Sequence, residues 1–158
     1  MTEAFLAEAM DRYGDAVYRL ALCRLQSIAD AEDVYQDTFL RFYQQKDAQS
    51  WGEEQCKAWL LRVAINRCND LGRSRKVRGY VDLDSIPELA DHSSDGCGEI
   101  WDAVSRLPEK QRVVFHLFYG EGYQTDEIAN IMKVSGSAVR VNLNRARNTL
   151  RKELSIHV

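Results

Sequence analysis

Between Ser135 and Leu150 the apolar residues Val139, Leu143, Ala146 and Leu150 recur at every third or fourth position, a spacing that only a helix turns into one buried stripe. Two further helices are predicted just before it. Pro108 fits the opening turn of a helix, where its missing N–H has no partner to lose, and Val113, Val114, Leu117 and Phe118 keep the apolar spacing until Gly120 and Gly122 end it. Thr125 is the predicted N-cap of the next helix, with Asp126 and Glu127 opposing the positive end of its dipole and Ile128, Ala129 and Met132 turned inward. The connection Lys133-Val134-Ser135 allows only a tight turn, after which Ser135 caps the last helix. Lys133 stands where such a turn usually carries glycine, so a left-handed non-glycine residue is expected there. The segment from Leu107 to Arg147 therefore reads as a helix-turn-helix ending in a basic helix.

Opposite the stripe, at 100° per residue, lie Ser137, Arg140, Val141, Asn144 and Asn148, with Arg145 and Arg151 at the flanks. A guanidinium suits guanine, a carboxamide adenine, a hydroxyl phosphate and an exposed valine a thymine methyl, so this face is a candidate reader of the major groove. Arg145, Arg147 and Arg151, further round or further along, are expected on phosphates. The alternative is a solvated face of a three-helix bundle, but every charge from Lys133 to Lys152 is positive, which favours contact with nucleic acid.

The chain as a whole carries a net charge of -3, which on average argues against a polyanionic partner. The average conceals segregation by segment. Arg62 to Arg78 and Lys133 to Lys152 are basic, whereas Gly79 to Ser105 holds Asp82, Asp84, Glu88, Asp91, Asp95, Glu99 and Asp102 with no Lys or Arg. Within it, Tyr80 to Gly98 combines Pro87 and the run His92-Ser93-Ser94-Asp95-Gly96 with poor helical periodicity and reads as a tether. Strand-like alternation is absent from both halves, so the expected fold is all-α: two small helical domains, residues 1–78 and 99–158, joined by an acidic linker over 79–98. Cys23, Cys56, Cys68 and Cys97 show no CxxC pairing and read as reduced structural thiols of a cytoplasmic protein, without a metal or cofactor. The acidic start Met1-Thr2-Glu3-Ala4 and the lack of a long apolar run predict neither secretion nor membrane insertion. His92, His116 and His157 are isolated and no nucleophile has an activating neighbour, so an enzyme is not expected.

The N-terminal domain opens with an amphipathic helix whose inward positions are Leu6, Met10, Tyr13, Val17, Leu20 and Ala21. Asp30 is the predicted N-cap of a second helix, with Ala31, Val34, Thr38 and Phe42 facing the core. Glu32, Asp33, Gln36 and Asp37 gather on its other side. Like charges so placed repel, and two readings follow: a partner surface rich in arginine, or a first turn that simply opposes the helix dipole. A third helix, near Cys56 to Ser74, has a buried arc of Leu60, Leu61, Ala64, Cys68 and Leu71. Opposite it lie Arg62, Asn66, Asn69 and Arg73, with Arg75, Lys76 and Arg78 following, a second candidate nucleic-acid face. Trp59, before a Leu-Leu pair, reads as a core anchor or as a stacking platform. Trp51, in the polar loop from Lys46 to Gln55, is harder to bury and is a candidate for receiving an unstacked base.

With these residues in view, the chain resembles the extracytoplasmic-function (ECF) sigma factors, the minimal two-domain group of the sigma-70 family. Asp30-Ala31-Glu32-Asp33-Val34-Tyr35-Gln36-Asp37-Thr38-Phe39-Leu40-Arg41 is similar to the family's core-binding helix, and Ala58 to Asp70 to its minus-10 reading helix. Leu107-Pro108 onward is similar to its minus-35 module. The resemblance implies a dissociable promoter-specificity subunit that binds RNA polymerase core through its clamp coiled coil and flap, recognises minus-10 and minus-35 promoter DNA, assists melting and answers to an anti-sigma partner. It implies Glu32, Asp33, Gln36 and Asp37 on core polymerase, Trp51, Trp59, Arg62, Asn66, Asn69 and Arg73 on minus-10 DNA, and Ser137, Arg140, Val141, Asn144, Arg145, Arg147 and Arg151 on minus-35 DNA. Val141, Asn142 and Asn144 depart from the polar and basic residues many relatives carry there, so the minus-35 preference does not transfer. A stand-alone helix-turn-helix repressor accounts for Arg140 and Asn144 but leaves the acidic helix and the second basic stripe without a purpose. A sigma-like decoy, which only sequesters an anti-sigma factor, calls for lost base-reading residues or a receiver domain, and the sequence has neither feature.

Overall fold

A computed structural model of the chain describes residues 1–78 and 98–154, with side chains omitted for 74–78. The predicted linker, apart from Gly98, and the side chains of Arg75, Lys76 and Arg78 lie outside the described residues, as do His92, Cys97 and His157. Among the described residues there are seven α-helices and no strand, the all-α architecture expected. The chain divides into two compact units, Met1–Ser85 and Ile86–Val158.

In the first unit, α1 (Glu3–Leu25), α2 (Ile28–Tyr43) and α3 (Glu53–Arg78) pack against one another in all three pairings. Thr2 starts α1 by accepting the Phe5 N–H at 3.1 Å, and Gln26 ends it in a left-handed conformation at φ 53°. Val17, Leu20 and Ala21 are fully buried on α1, while Leu6, Met10 and Tyr13 are half-buried. Small residues at Ala9, Gly14 and Ala16 fill the rest of that face. Gly14 permits the approach of α2, since a Cβ there would stand 3.0 Å from the Tyr35 hydroxyl. The N-cap of α2 is Ser27, not Asp30. The Ser27 hydroxyl accepts the Asp30 N–H at 3.3 Å, and Asp30 lies within the first turn. Ala31, Val34, Thr38 and Phe42 are buried as predicted, and Phe39 joins them. α3 begins earlier and ends later than its apolar arc, because Glu53 and Glu54 stabilise the first turn and a run of polar helix formers continues the last turns. Leu60, Leu61, Ala64 and Cys68 are buried on it, Ile65 with them, and Leu71 is half-buried.

The second unit opens with α4 (Gly98–Ser105), a short helix that begins at the last residue of the predicted linker and whose Ala103 and Val104 are buried with Leu107. α5 (Glu109–Phe115) starts after Pro108 and runs into a single π turn, His116–Gly120, closed by the Glu121 N–H on the His116 carbonyl at 3.1 Å. Gly122 then takes φ 78°, a left-handed turn that favours glycine. α6 (Thr125–Met132) is capped by Gln124, not Thr125: the Gln124 N–H donates to the Glu127 carboxylate at 2.9 Å. Ile128 and Ile131 are its buried residues, with Ala129 and Met132 half-buried. Lys133 adopts φ 56° and ψ 48°, the expected left-handed residue, and α7 (Gly136–Leu154) follows. Its cap is Ser135, which accepts the Ala138 N–H at 3.1 Å, and its buried residues are Val139, Leu143, Ala146 and Leu150.

Candidate nucleic-acid interface

The outer face of α7 is exposed along its length. Ser137, Arg140, Val141, Asn144, Arg145, Asn148 and Arg151 all reach solvent, and Val141 is 45% exposed, a large apolar side chain left without a protein neighbour to cover it. The Arg140 guanidinium lies 3.4 Å from the Ser137 hydroxyl, within its own helix and weakly held. Asn142, by contrast, is half-buried and donates to the Ala138 carbonyl at 2.9 Å. The base-matching groups therefore stand free of the core that fixes their helix. Arg147 is different. Its Nε–H donates to the Tyr119 hydroxyl at 2.8 Å, and its guanidinium lies over the Phe118 and Tyr119 rings at 5.3 and 5.5 Å. At about 80° from Val139 round the helix, against about 140° for Asn144, Arg147 faces the π turn, so its ready-made partners compete with any phosphate.

In the first unit the stripe on α3 is less open than its spacing suggests. Arg62 and Asn66 are half-buried and Asn69 and Arg73 exposed. Asn69 accepts a hydrogen bond from Arg24 of α1 at 3.2 Å, and Arg73 is paired with Asp70. Trp51 and Trp59 pack together, their ring centroids 5.8 Å apart, and both lie against Phe42, at 6.5 and 5.7 Å. Trp59 is half-buried, so it anchors this aromatic cluster and keeps part of its surface exposed. Trp51 is half-buried rather than a lone loop aromatic, because Ala48–Ser50 forms a 3-10 turn that folds the loop back over α3. The Cys56 thiol seals the same turn, donating to the Ala48 carbonyl at 3.7 Å, and burial pushes its pKa up.

On α2, Glu32, Asp33 and Gln36 are exposed, and the apolar residues Ile28, Leu40 and Tyr43 project beside them at 51%, 59% and 42% exposure. Sequence periodicity placed this acidic face but passed over its apolar margin, whose signal is large apolar residues outside the buried arc. Asp37 already has cations: Arg41 at 3.4 Å, one turn away, and Arg67 of α3. The repulsion expected among the three carboxylates, Glu32, Asp33 and Asp37, is relieved in part from within the chain. Arg67 escaped notice because it lies about 140° round the helix from Arg62, off the predicted stripe. A cleft of about 510 Å³ between α1 and α2, lined by Asp15, Tyr18, Glu32, Tyr35 and Gln36 among others, continues the face; burial, then Asp15 and Asp11, raise the Tyr35 phenol pKa.

Among the described residues no group of His, Cys, Asp and Glu is disposed to hold a metal ion, and no helix is long and apolar enough to cross a membrane. Cys23, Cys56 and Cys68 are buried and form no disulfide.

Known proteins share both units. Sigma-70 region 2 matches residues 9–78, and sigma-70 region 4 matches residues 97–150. The ECF RNA polymerase sigma factor SigW of Bacillus subtilis is 28% identical, over 94% of this chain and 88% of its own length. The ECF RNA polymerase sigma factor SigL of Mycobacterium tuberculosis is 31% identical, over 96% and 90%. The fold resembles that of the sigma factor RpoE from Bartonella quintana, solved with the anti-sigma factor NepR, with a TM-score of 0.76 at 22% identity over 98% of this chain and 99% of that one. It also resembles CnrH, solved with the cytosolic domain of CnrY, with a TM-score of 0.66 at 23% identity over 99% and 92%. With both sigma regions present in order and relatives aligned nearly end to end, the chain belongs to the ECF sigma factors of the sigma-70 family, which direct RNA polymerase to promoters for transcription initiation.

Proposed function

We propose that this chain docks on RNA polymerase core through the acidic and apolar face of α2, reads a minus-10 element with α3 and its preceding loop, and reads a minus-35 element with the outer face of α7. The domain division is 1–78 for the first task and 99–158 for the second, with 79–98 as linker. Glu32, Asp33 and Gln36 meet the basic coiled coil of the polymerase clamp, and Asp37 joins them while still shared with Arg67. Ile28 and Leu40 add apolar contact at either end. Arg62, Asn66, Asn69 and Arg73 follow the minus-10 strand, and Trp51, packed at a tilt against Trp59, offers a ring to a base that has left the stack. Ser137, Arg140, Val141 and Asn144 contact base edges, with Arg145 and Arg151 on phosphates.

An open groove of about 760 Å³, lined by Ile100, Phe115, Tyr119, Arg147, Leu150, Arg151 and Leu154, supports docking of the flap on the second unit. The protein is a cytoplasmic, non-catalytic initiation factor without a cofactor. Control by an anti-sigma factor is supported by the similar sigma factor RpoE, which was solved with the anti-sigma factor NepR.

The observation that carries the reading is the separation on α7 between a wholly apolar buried stripe and an exposed face of base-matching groups. Transcription by core polymerase on a library of genomic fragments, with and without this chain, tests it. Starts that appear only with the chain and share two spaced elements are expected. Starts unchanged by the chain would end the proposal.

A further inference from the structure

Between Cys56 and Arg78 the sequence carries a single carboxylate, Asp70, in the middle of an otherwise basic segment. An acid there repels a phosphodiester backbone, so its position calls for a reason. Asp70 pairs with Arg67 at 3.3 Å on one side and with Arg73 on the other. Arg67 pairs in turn with Asp37 of α2, which also holds Arg41. At 100° per residue Arg73, Asp70 and Arg67 step round α3 by about 60° at a time, from the outer stripe toward α2. Ion pairs therefore run unbroken from the acidic face of one helix to the basic stripe of the next.

We infer that Arg67 is a latent phosphodiester-binding residue, masked by Asp37 and Asp70 in the isolated chain and released toward DNA when a basic partner takes Asp37. The inference rests on the reading of α2 as the polymerase-binding face. The bridging atoms, Asp37 Oδ2 and Arg67 Nε, are buried, but the side chains as a whole are 37% and 29% exposed, so an incoming guanidinium would meet the other carboxylate oxygen and a phosphate the terminal nitrogens of the arginine. The flanking pairs, to Arg41 at 50% exposure and to Asp70 at 45%, are individually weak, so the network around the buried contact redistributes when a further ion arrives. A third guanidinium on Asp37, added to those of Arg41 and Arg67, repels Arg67, which then depends on Asp70 alone. Polymerase binding comes first in this scheme and strengthens DNA contact on the neighbouring helix.

Fluorescence anisotropy with a labelled forked duplex carrying an unpaired minus-10 strand tests this, using the full chain alone and the reconstituted holoenzyme. Asp70→Asn, equal in size, should let the isolated chain bind about three- to tenfold tighter, with the salt dependence steeper by about one ion. Arg67→Gln added to Asp70→Asn should abolish that gain. Arg67→Gln alone should leave the isolated chain nearly unchanged yet weaken the holoenzyme several-fold, and Arg67→Lys should restore much of the loss. Should Arg67→Gln fail to fold, Asp37→Asn takes its place and should tighten isolated-chain binding as Asp70→Asn does. Unchanged affinity in Asp70→Asn, or parental holoenzyme affinity in a folded Arg67→Gln, overturns the inference. Co-purification of Glu32→Lys/Asp33→Lys with core polymerase tests the underlying reading separately, so the two can fail independently.

Discussion

Lys133 holds a left-handed backbone in which its Cβ crowds the following carbonyl, at a cost of roughly 1–2 kcal/mol. Glycine removes that strain but adds about 0.5–1 kcal/mol of unfolded-chain entropy, so relief of the strain outweighs the added entropy. Lys133→Gly should therefore raise stability by about 0.5–1 kcal/mol, read as a higher urea midpoint at unchanged slope; a lower midpoint would mean that the lysine side chain stabilises the turn. This position was legible in the sequence because the geometry of a tight turn is local. Arg147 was not. Its partner Tyr119 is distant in sequence, and helical spacing alone made it look like Arg151. The two arginines should now behave differently. Arg147→Ala should lower the stability of the second unit by about 1 kcal/mol through the lost hydrogen bond and ring contacts, with little change in the salt dependence of DNA binding. Arg151→Ala should spare stability, weaken binding to all sequences alike and flatten the salt dependence by about one ion. Thermal melts and anisotropy titrations at several salt concentrations separate the outcomes, and a shared pattern would refute the distinction.

At the scale of the helix, apolar periodicity captured what faces inward and left open what the outward side chains touch. The buried residues of α7 and most of those of α2 and α3 follow from spacing, because a stripe every three or four residues has one way to be covered. Caps were less legible. Ser27 and Gln124 begin α2 and α6 where Asp30 and Thr125 looked suitable, since several polar residues in a row can each satisfy an opening N–H and packing decides among them. The short helix α4 was hidden by acidic neighbours, although Trp101, Ala103, Val104 and Leu107 carry its apolar signal. On α2, Glu32→Lys with Asp33→Lys should weaken binding to core polymerase by about 2–4 kcal/mol while circular dichroism stays unchanged, because neither residue is buried. Reversal of Asp37 is the poorer probe, for a lysine there faces Arg41 and Arg67 and disturbs the fold as well. Undiminished co-purification of the double variant with core would remove α2 from the interface. On α7, Arg140→Ala or Asn144→Ala should lower affinity for the preferred minus-35 sequence by about 1–3 kcal/mol and relax discrimination at one or two positions. Selection from a randomised minus-35 library reads this directly, and an unchanged consensus would mean the recognition face lies elsewhere.

For the molecule as a whole, the two sigma regions, at 9–78 and 97–150, fall in the expected order within the two compact units Met1–Ser85 and Ile86–Val158. What spacing left unread is how each reading face is already occupied. Asn69 and Arg73 have partners on the protein, and Trp51 packs against Trp59 and Phe42, so the proposed minus-10 contacts call for an exchange of internal contacts for external ones. The second unit presents Arg140, Val141 and Asn144 on an exposed face. On the proposed reading, binding to intact duplex falls chiefly to the second unit and opening to the first. A base cannot offer all its edges until it leaves the stack, and a half-exposed indole backed by a second indole is a ready surface for one that has left. Asn66→Ala with Trp51→Ala should accordingly reduce the permanganate-reactive bubble about tenfold or more while closed-complex affinity falls by no more than about twofold, base stacking on an aromatic being worth about 1–3 kcal/mol. Trp51→Phe should recover much of the bubble, because it keeps a ring over Trp59. Equal losses in binding and in opening would assign this end of the molecule to duplex contact alone, and full opening without the indole would leave strand separation to the polymerase.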